Sequence, residues 1–225
     1  MHVAMLVYPN MTQLDLTGPF EVFSRFPEIR IDLVWKDETP VLASGLAITP
    51  TATFDRCPPT DILFVPGGPG QLALMDDGEV LAFLKRQAAG ARYVTSVCTG
   101  SLLLAAAGLL GGYRATCHWL SLSQLEIFGA TPVSERVVID RNRITGGGVT
   151  AGIDFGLRLA AELFGEGRAK LVQLQMEYDP APPFPGGSPS TAEPELVAQV
   201  RTFVADFQKR REVAARLAAA KLEPQ

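Results

Sequence analysis

Short apolar runs alternate along the chain with longer segments in which apolar residues recur every three or four positions. The short runs are typical of buried strands and the longer segments of amphipathic helices. Strands are predicted at HVAMLVY, IRIDLVW, DILFVP, ARYVTSV, SERVVID and RITGG, with a hairpin in PVLASGLAITP. Helices are predicted at residues 17–26, 78–90, 99–110, 120–129, 150–165 and 167–179, and from about 195 to 222. The alternation predicts an α/β fold with a mostly parallel sheet covered on both faces.

Three chemically distinctive positions follow predicted strands. Asp15 comes after the first strand, Gly67 and Gly68 come after DILFVP, and Cys98 comes after ARYVTSV. Ligands of parallel sheets bind outside the carboxyl ends of the strands. We therefore expect these residues to lie near one another at one edge of the sheet.

Composition narrows the class of partner. The 225 residues are 47% hydrophobic and 20% charged, with a net charge of -4, and they are expected to form one domain over residues 1–225 whose C-terminal helix packs on it or extends it. The chain has no basic stripe for nucleic acid and no apolar run that could span a membrane. The N-terminus lacks the basic segment and cleavage site of a signal peptide. A cytoplasmic protein with a small-molecule ligand is expected.

The cysteines are few and widely spaced. Cys57, Cys98 and Cys117 form neither a disulfide framework nor a metal motif, so no metal site is expected. Cys98 stands where a strand turns into a helix, beside backbone N–H groups and the positive end of the helix dipole, which favour a thiolate. Such a turn resembles a nucleophile elbow, and Gly100 permits close backbone approach. A buried structural cysteine is the alternative.

Four motifs together resemble a known family. They are DLTGPFEVF from Asp15, VPGG from Val65, CTGSLLLAAAGLLGG from Cys98 and RATCHW from Arg114. The chain is similar over nearly its whole length to the PfpI-like cysteine branch of the class I glutamine amidotransferase-like superfamily. With EYDPAPPF from Glu177 it is similar, within that branch, to the isonitrile hydratases. This resemblance implies a flavodoxin-like three-layer sandwich, a homodimer, and hydration of an isonitrile to an N-substituted formamide.

The resemblance also implies roles for Asp15, Thr99 and His118. It places Asp15 against Cys98, where a buried carboxyl would have a raised pKa and could transfer a proton, although helix capping is the structural alternative. Peptidase-like relatives have a histidine after the cysteine, whereas this chain has Thr99. Thr99 is expected to orient Asp15 or a water molecule. His118 is either a packing residue or the remaining conventional base.

The rest of the expected site is a set of backbone and pocket residues. The N–H groups of Gly68 and Thr99 are expected to stabilise developing charge. Gly152 and Ile153 are expected to border the pocket from the opposite side. Trp119 either lines the pocket or packs in the core or a dimer interface.

A covalent route needs only two of these residues. Cys98 would attack the isonitrile carbon to give a thioimidate, with Asp15 as acid and then base, and no cofactor is required. Two other functions are kept open. One is a ligand-sensing domain of the kind that precedes DNA-binding helices in transcription regulators, and the other is a deglycase or glyoxalase-like stress enzyme.

Overall fold

The computed structural model describes residues 1–222. Within them, seven strands form a central sheet in the order β10-β11-β7-β6-β1-β2-β5. Every neighbouring pair is parallel except β10 and β11. The strands are β1 (His2–Leu6), β2 (Arg30–Trp35), β5 (Ala52–Thr53), β6 (Ile62–Val65), β7 (Tyr93–Val97), β10 (Val137–Asp140) and β11 (Arg143–Gly146).

Two small sheets accompany the central one. A hairpin of β3 (Val41–Ala43) and β4 (Leu46–Ile48) turns at Ser44 and Gly45, as predicted. A short parallel pair is formed by β8 (Arg114–Ala115) and β9 (Thr131–Pro132).

The helices form two groups around the sheet. The first group is α1 (Gln13–Phe23), α5 (Ala151–Phe164) and α6 (Glu166–Gln175), which pack against one another in sequence. The second group is α2 (Gln71–Leu74), α3 (Gly78–Ala88), α4 (Gly100–Ala106), α8 (Ala205–Ala219) and a 3-10 helix (Trp119–Phe128). α7 (Pro194–Phe203) precedes α8 and buries none of its side chains. The predicted three-layer α/β fold with a mostly parallel sheet is confirmed.

The core lies along the central strands. All four residues of β6 and the last four of β1 are buried, which explains why these runs are continuously apolar instead of alternating. Phe155 of α5 packs edge-on against Phe23 of α1 and also contacts Phe64 of β6. These ring contacts join the first helix group to the sheet.

Three predicted helices differ in the structure. α1 begins at Gln13, not Thr17, so that Pro19 lies in its second turn and Asp15 in its first. Residues 119–128 form a 3-10 helix, whose buried Ser121 and Gln124 are three positions apart, as the 3-10 period requires. The predicted C-terminal helix is divided at Val204 into α7 and α8.

No helix within residues 1–222 combines the length and the apolar character that crossing a bilayer requires.

Candidate active site

Cys98 occupies the turn between β7 and α4 with a left-handed backbone. Its φ is +58°, a conformation that costs a non-glycine residue about 1–3 kcal/mol. Its N–H donates to the carbonyl oxygens of Gly146 and Gly147, at 3.0 and 2.8 Å. These bonds anchor the turn to the end of β11, so the strained backbone is held by the neighbouring strand.

The turn is pressed against the loop that follows β6. A Cβ atom on Gly100 would lie 2.1 Å from the Val65 carbonyl oxygen, and one on Gly67 would lie 2.4 Å from the Thr99 nitrogen. Both distances are below any normal contact, so only glycine fits at either position. This close approach brings the ends of β6 and β7 together at the carboxyl edge of the sheet, as predicted.

Asp15 lies in the first turn of α1, and its side chain points into the protein. The residue is fully buried, and its Oδ2 accepts a hydrogen bond from the Gly67 N–H at 2.9 Å. Its Oδ1 has no hydrogen-bond partner among the described residues. Burial raises the pKa of Asp15 to about 7, although the neighbouring Cys98 thiol and the Gly67 N–H favour the carboxylate. The expectation of a raised pKa is confirmed, and the capping alternative is wrong, since α1 has no side-chain cap.

The Cys98 thiol is adjacent to this carboxyl and is itself 4% exposed. Burial raises the pKa of Cys98 well above its ordinary value, and negative charge at Asp15 and Cys117 raises it further. The Thr99 N–H, which faces the sulfur, lowers it. The expected preference for thiolate is therefore outweighed by burial. Asp15 and Cys98 instead form a buried pair of neighbouring acids, both with raised pKa values.

Thr99 and Gly68 contact each other beside Gly67, whose N–H binds Asp15. The Gly68 N–H donates to the Thr99 hydroxyl oxygen at 3.0 Å. The expected role of this N–H in stabilising charge is not supported, because it already has a partner. The Thr99 hydroxyl secures the loop after β6 and forms no hydrogen bond to Asp15 in the described chain. Its action on a water molecule stays a prediction.

Gly152 and Ile153 lie in the first turn of α5, against α1. A Cβ on Gly152 would contact the Pro19 ring at 3.1 Å, and Ile153 lies beside Gly18. The Asp15 carbonyl oxygen is also near Gly152. The two residues therefore border the helix that carries Asp15, and their contact with a substrate stays a prediction.

His118 and Trp119 lie at the start of the 3-10 helix. The His118 Nδ1 accepts the Leu120 N–H at 3.3 Å and so caps that helix. Burial, followed by the positive charge of Arg211, lowers the pKa of His118. No hydrogen bond within the described chain joins His118 to Cys98, which favours the packing role. Trp119 lines a separate cavity of about 100 Å³ with residues 186–200.

The sequence patterns did not identify two buried polar residues, Gln71 and Arg211. Gln71, the first residue of α2, is fully buried, and neither its amide oxygen nor its amide nitrogen has a partner in the described chain. Arg211 of α8 is 5% exposed, although a run of three basic residues such as Lys209 to Arg211 is typical of a solvated helix face. A signal was available, because Arg211 shares the helix face of Ala215 and Ala218, both buried.

Among residues 1–222, no group of three or more His, Cys, Asp or Glu side chains is arranged to hold a metal ion.

The chain is similar to known proteins over most of its length. The chain is 53% identical over 223 residues to a protein named isonitrile hydratase from Pseudomonas putida, covering 99% of this chain and 98% of that protein. It is 38% identical over 186 residues to the HTH-type transcriptional regulator GbdR of Pseudomonas aeruginosa, of which the match spans 50%.

Among solved structures, a THiJ/PfpI family protein from Pseudomonas syringae superposes with a TM-score of 0.93 at 51% identity, covering 95% of this chain and 90% of that one. The model of the DJ-1/PfpI family matches residues 1–162, which include Asp15, Gly68, Cys98 and Thr99. The chain therefore belongs to the DJ-1/PfpI family.

Proposed function

We propose that this protein is an isonitrile hydratase, a hydro-lyase that adds water to R-NC and releases an N-substituted formamide. The observation that carries the proposal is the buried Asp15–Cys98 pair, which combines a soft nucleophile with a carboxyl whose pKa is about 7. The near full-length similarity to the Pseudomonas putida isonitrile hydratase supports the same reaction.

The first half of the reaction forms a bond between sulfur and carbon. The Cys98 proton passes to Asp15, and the resulting thiolate attacks the terminal carbon of R-NC. Asp15 then delivers the proton to that carbon, which gives the thioimidate R-N=CH-S-Cys98 and leaves Asp15 as a carboxylate. A carboxyl with a pKa near neutrality suits this task because it gives and takes a proton at similar cost.

The second half releases the product and restores the thiol. The Asp15 carboxylate takes a proton from water, and the hydroxide adds to the thioimidate carbon. The nitrogen receives the proton held by Asp15, which gives the adduct R-NH-CH(OH)-S-Cys98. The carbon–sulfur bond then breaks while the hydroxyl proton of the adduct passes through Asp15 to the sulfur, so that R-NH-CHO leaves and the Cys98 thiol is restored. The net change is R-NC plus water to formamide, and no step draws on a cofactor.

The Thr99 N–H assists both halves. It is directed at the Cys98 sulfur, where it favours the thiolate that attacks and later leaves. The Thr99 side chain and Gly68 keep this N–H in place through the bond between their loops. Thr99 thus acts through its backbone on the sulfur.

A ligand-sensing role is the second candidate, and the similarity to GbdR favours it. That match spans about half of the regulator, whereas the hydratase match spans nearly all of both proteins. A sensing domain also has no need of a buried thiol next to a carboxyl whose pKa is about 7. A glyoxalase-like activity is less favoured, since Thr99 stands where the histidine of peptidase-like relatives is expected.

We also propose that the protein is a cytoplasmic homodimer. Apolar side chains that are largely exposed in the single chain support an interface, among them Leu171, Leu174, Phe184 and Phe203. Light scattering coupled to size exclusion should give twice the chain mass of 24.2 kDa. A single-chain mass at micromolar concentration would refute the dimer and leave the proposed reaction untouched.

The direct test of function is an incubation of the purified protein with a ¹³C-labelled alkyl isonitrile, followed by NMR. We expect loss of the isonitrile carbon signal and an equal gain of the formyl carbon signal. A folded Cys98→Ala variant is the control and should leave the isonitrile intact. If the folded wild-type protein also leaves several alkyl and aryl isonitriles intact, the proposed function is wrong.

A further inference from the structure

Consecutive hydrogen bonds connect the Cys98 turn to Tyr178, which follows α6. The Cys98 N–H donates to the Gly147 carbonyl oxygen at 2.8 Å, and the Gly147 N–H donates to the Arg136 carbonyl oxygen at 2.9 Å. The Arg136 Nε donates to the Asp154 Oδ2 at 2.6 Å. The Tyr178 hydroxyl donates to the same carboxylate oxygen at 2.9 Å. Tyr178 is therefore joined to the backbone of the nucleophile through residues that contact one another in turn.

The Arg136–Asp154 ion pair joins the two segments that hold the proposed catalytic residues. Arg136 directly precedes β10 and belongs to the segment that anchors the nucleophile's turn. Asp154 lies in the first turn of α5. That turn packs on α1, since a Cβ on Gly152 would lie 3.1 Å from the Pro19 ring and 3.6 Å from the Asp15 carbonyl oxygen. The ion pair thus links the anchor of the thiol to the helix that packs on the carboxyl.

The end of α6 directs Tyr178 toward Asp154. Glu177 has a φ of +51°, a left-handed conformation that is uncommon for a residue other than glycine, and it turns the chain back after the helix. The Tyr178 N–H then donates to the Gln173 carbonyl oxygen at 3.0 Å, and the Gln173 side-chain amide donates to the Tyr178 carbonyl oxygen at 3.3 Å. The tyrosine of the segment EYDPAPPF is therefore fixed at both its backbone and its hydroxyl.

These contacts are better suited to positioning than to global stability. The side chains of Arg136 and Asp154 are 53% and 29% exposed, and exposed ion pairs contribute little to the free energy of unfolding. Cys98, in contrast, is held in a strained left-handed turn, and a displacement of about 1 Å at a reacting group can lower a rate by about 10²-fold. A weak surface network can therefore have a large effect on catalysis.

We propose that Tyr178 and Asp154 are positioning residues, which act through Arg136 to hold the Cys98 turn in register with the helix of Asp15. This inference rests on the proposed function for its effect on turnover, whereas the order of the Cys98 turn can be measured without any isonitrile. Removal of the Tyr178 hydroxyl leaves the Asp154 carboxylate bonded only to Arg136 within residues 1–222. The segment that anchors the turn then becomes more mobile.

The test is hydrogen–deuterium exchange of the peptides that contain the Cys98 and Gly147 amides, measured by mass spectrometry in Tyr178→Phe. Tyr93→Phe is the matched control, since it removes a hydroxyl from the half-buried tyrosine at the start of β7, at the other end of the strand that leads to Cys98. We expect both amides to exchange about tenfold faster in Tyr178→Phe, because they open by local fluctuation. Tyr93→Phe should exchange them at the wild-type rate.

Formamide production gives a second readout. Tyr178→Phe and Asp154→Asn should each lower kcat about tenfold and leave KM within about twofold, because positioning affects the chemical step more than binding. The double variant should lose no more than the more affected single variant, since residues of one network are not additive. Losses of kcat that multiply in the double variant would contradict a shared network.

A folded Tyr178→Phe protein with wild-type exchange at both amides would overturn the proposal. Equal acceleration throughout the central sheet would also overturn it, because the hydroxyl would then act on global stability. Should Tyr178→Phe not fold, Asp154→Asn undergoes the same exchange measurement with the same two outcomes against the proposal.

The two readouts separate this proposal from the proposed function. Faster exchange confined to the Cys98 and Gly147 amides, in a protein that hydrates no isonitrile, would support the positioning network and reject the hydratase. Hydration by the wild type with unchanged exchange in Tyr178→Phe would do the reverse.

Discussion

Buried polar side chains differ in their hydrogen bonding between the two ends of the central sheet. At the amino end, Gln87 is buried, and its amide accepts the Thr60 N–H and donates to the Cys57 and Pro58 carbonyl oxygens. At the carboxyl end, Gln71 is buried with both amide atoms unpartnered in the described chain. A buried glutamine amide is thus hydrogen-bonded at the amino end, whereas at the carboxyl end it has no hydrogen-bond partner in the described chain.

The buried aspartates repeat this contrast. Asp32 accepts hydrogen bonds from His2 at 2.9 Å and Arg30 at 3.0 Å, near the start of β1. Within residues 1–222, Asp15 has one N–H partner, its other oxygen has none, and it forms no ion pair. Paired polar groups stabilise a fold, whereas unpaired ones lower its stability and are retained where chemistry needs them. The carboxyl end therefore has the character of a functional site and the amino end that of a structural one.

The largest expected effect is on turnover at the carboxyl end. Cys98→Ser should lower kcat for isonitrile hydration on the order of 10⁴-fold or more, because a hydroxyl at its ordinary pKa is a far weaker nucleophile than a thiolate. Formamide production measured by NMR gives the rate, and thermal melts establish that the variant is folded. Near-normal turnover in folded Cys98→Ser protein would remove the covalent route.

The two aspartates should respond oppositely in stability. Asp15 has a higher pKa folded than unfolded, so the folded protein binds more protons between about pH 4 and 7, and its free energy of unfolding falls as the pH rises through that window. Asp15→Asn removes this term, and we expect it to be more stable than the wild type at pH 8 by on the order of 2–4 kcal/mol, with the gain vanishing toward pH 4.

Asp32→Asn is the matched control at the amino end. It should be less stable than the wild type at pH 8 by about 1–3 kcal/mol, because it weakens charged hydrogen bonds to His2 and Arg30. Urea denaturation at pH 5 and pH 8 measures both variants. Loss of stability in Asp15→Asn at pH 8 would contradict the assigned burial of a charged carboxyl.

Replacing the two buried glutamines should change the free energy of unfolding by smaller amounts, and again differently at the two ends. Gln71→Met removes two unpartnered polar atoms and should leave the free energy of unfolding unchanged or raise it by about 1 kcal/mol. Gln87→Met breaks satisfied hydrogen bonds and should lower that free energy by about 2 kcal/mol. Urea denaturation distinguishes them, and equal losses in both variants would show that the contrast between the two ends is not energetic.

Much of this organisation was predictable from the sequence. Continuous apolar runs identify the parallel strands, and the residues just after them identify Asp15, Gly67 and Cys98 as neighbours, because parallel strands end at the same edge. The predicted start of α1 at Thr17 is four residues later than the observed start at Gln13. The partners of Gly68 and Thr99 depend on loop contacts between β6 and α4, which no local pattern encodes.

The burial of Arg211 is the most informative difference between the sequence pattern and the structure. A run of three basic residues is typical of a solvated helix face, and Lys209 and Arg210 are indeed exposed. Arg211 is turned inward because the face it shares with Ala215 and Ala218 packs onto the protein. Only the tertiary position of α8 shows that this helix packs against α2, α4 and the 3-10 helix.

The central claim is that the buried, incompletely paired Asp15 is the proton carrier of the site, and the most direct measurement compares turnover in Asp15→Asn and His118→Ala. We expect folded Asp15→Asn to lose about 10²–10⁴-fold in rate, since its amide keeps the shape but cannot give and recover a proton. His118→Ala, which removes a helix cap, should keep most of its turnover. If folded Asp15→Asn keeps its turnover and His118→Ala loses it, the account is contradicted and a Cys98–His118 hydrolase takes its place.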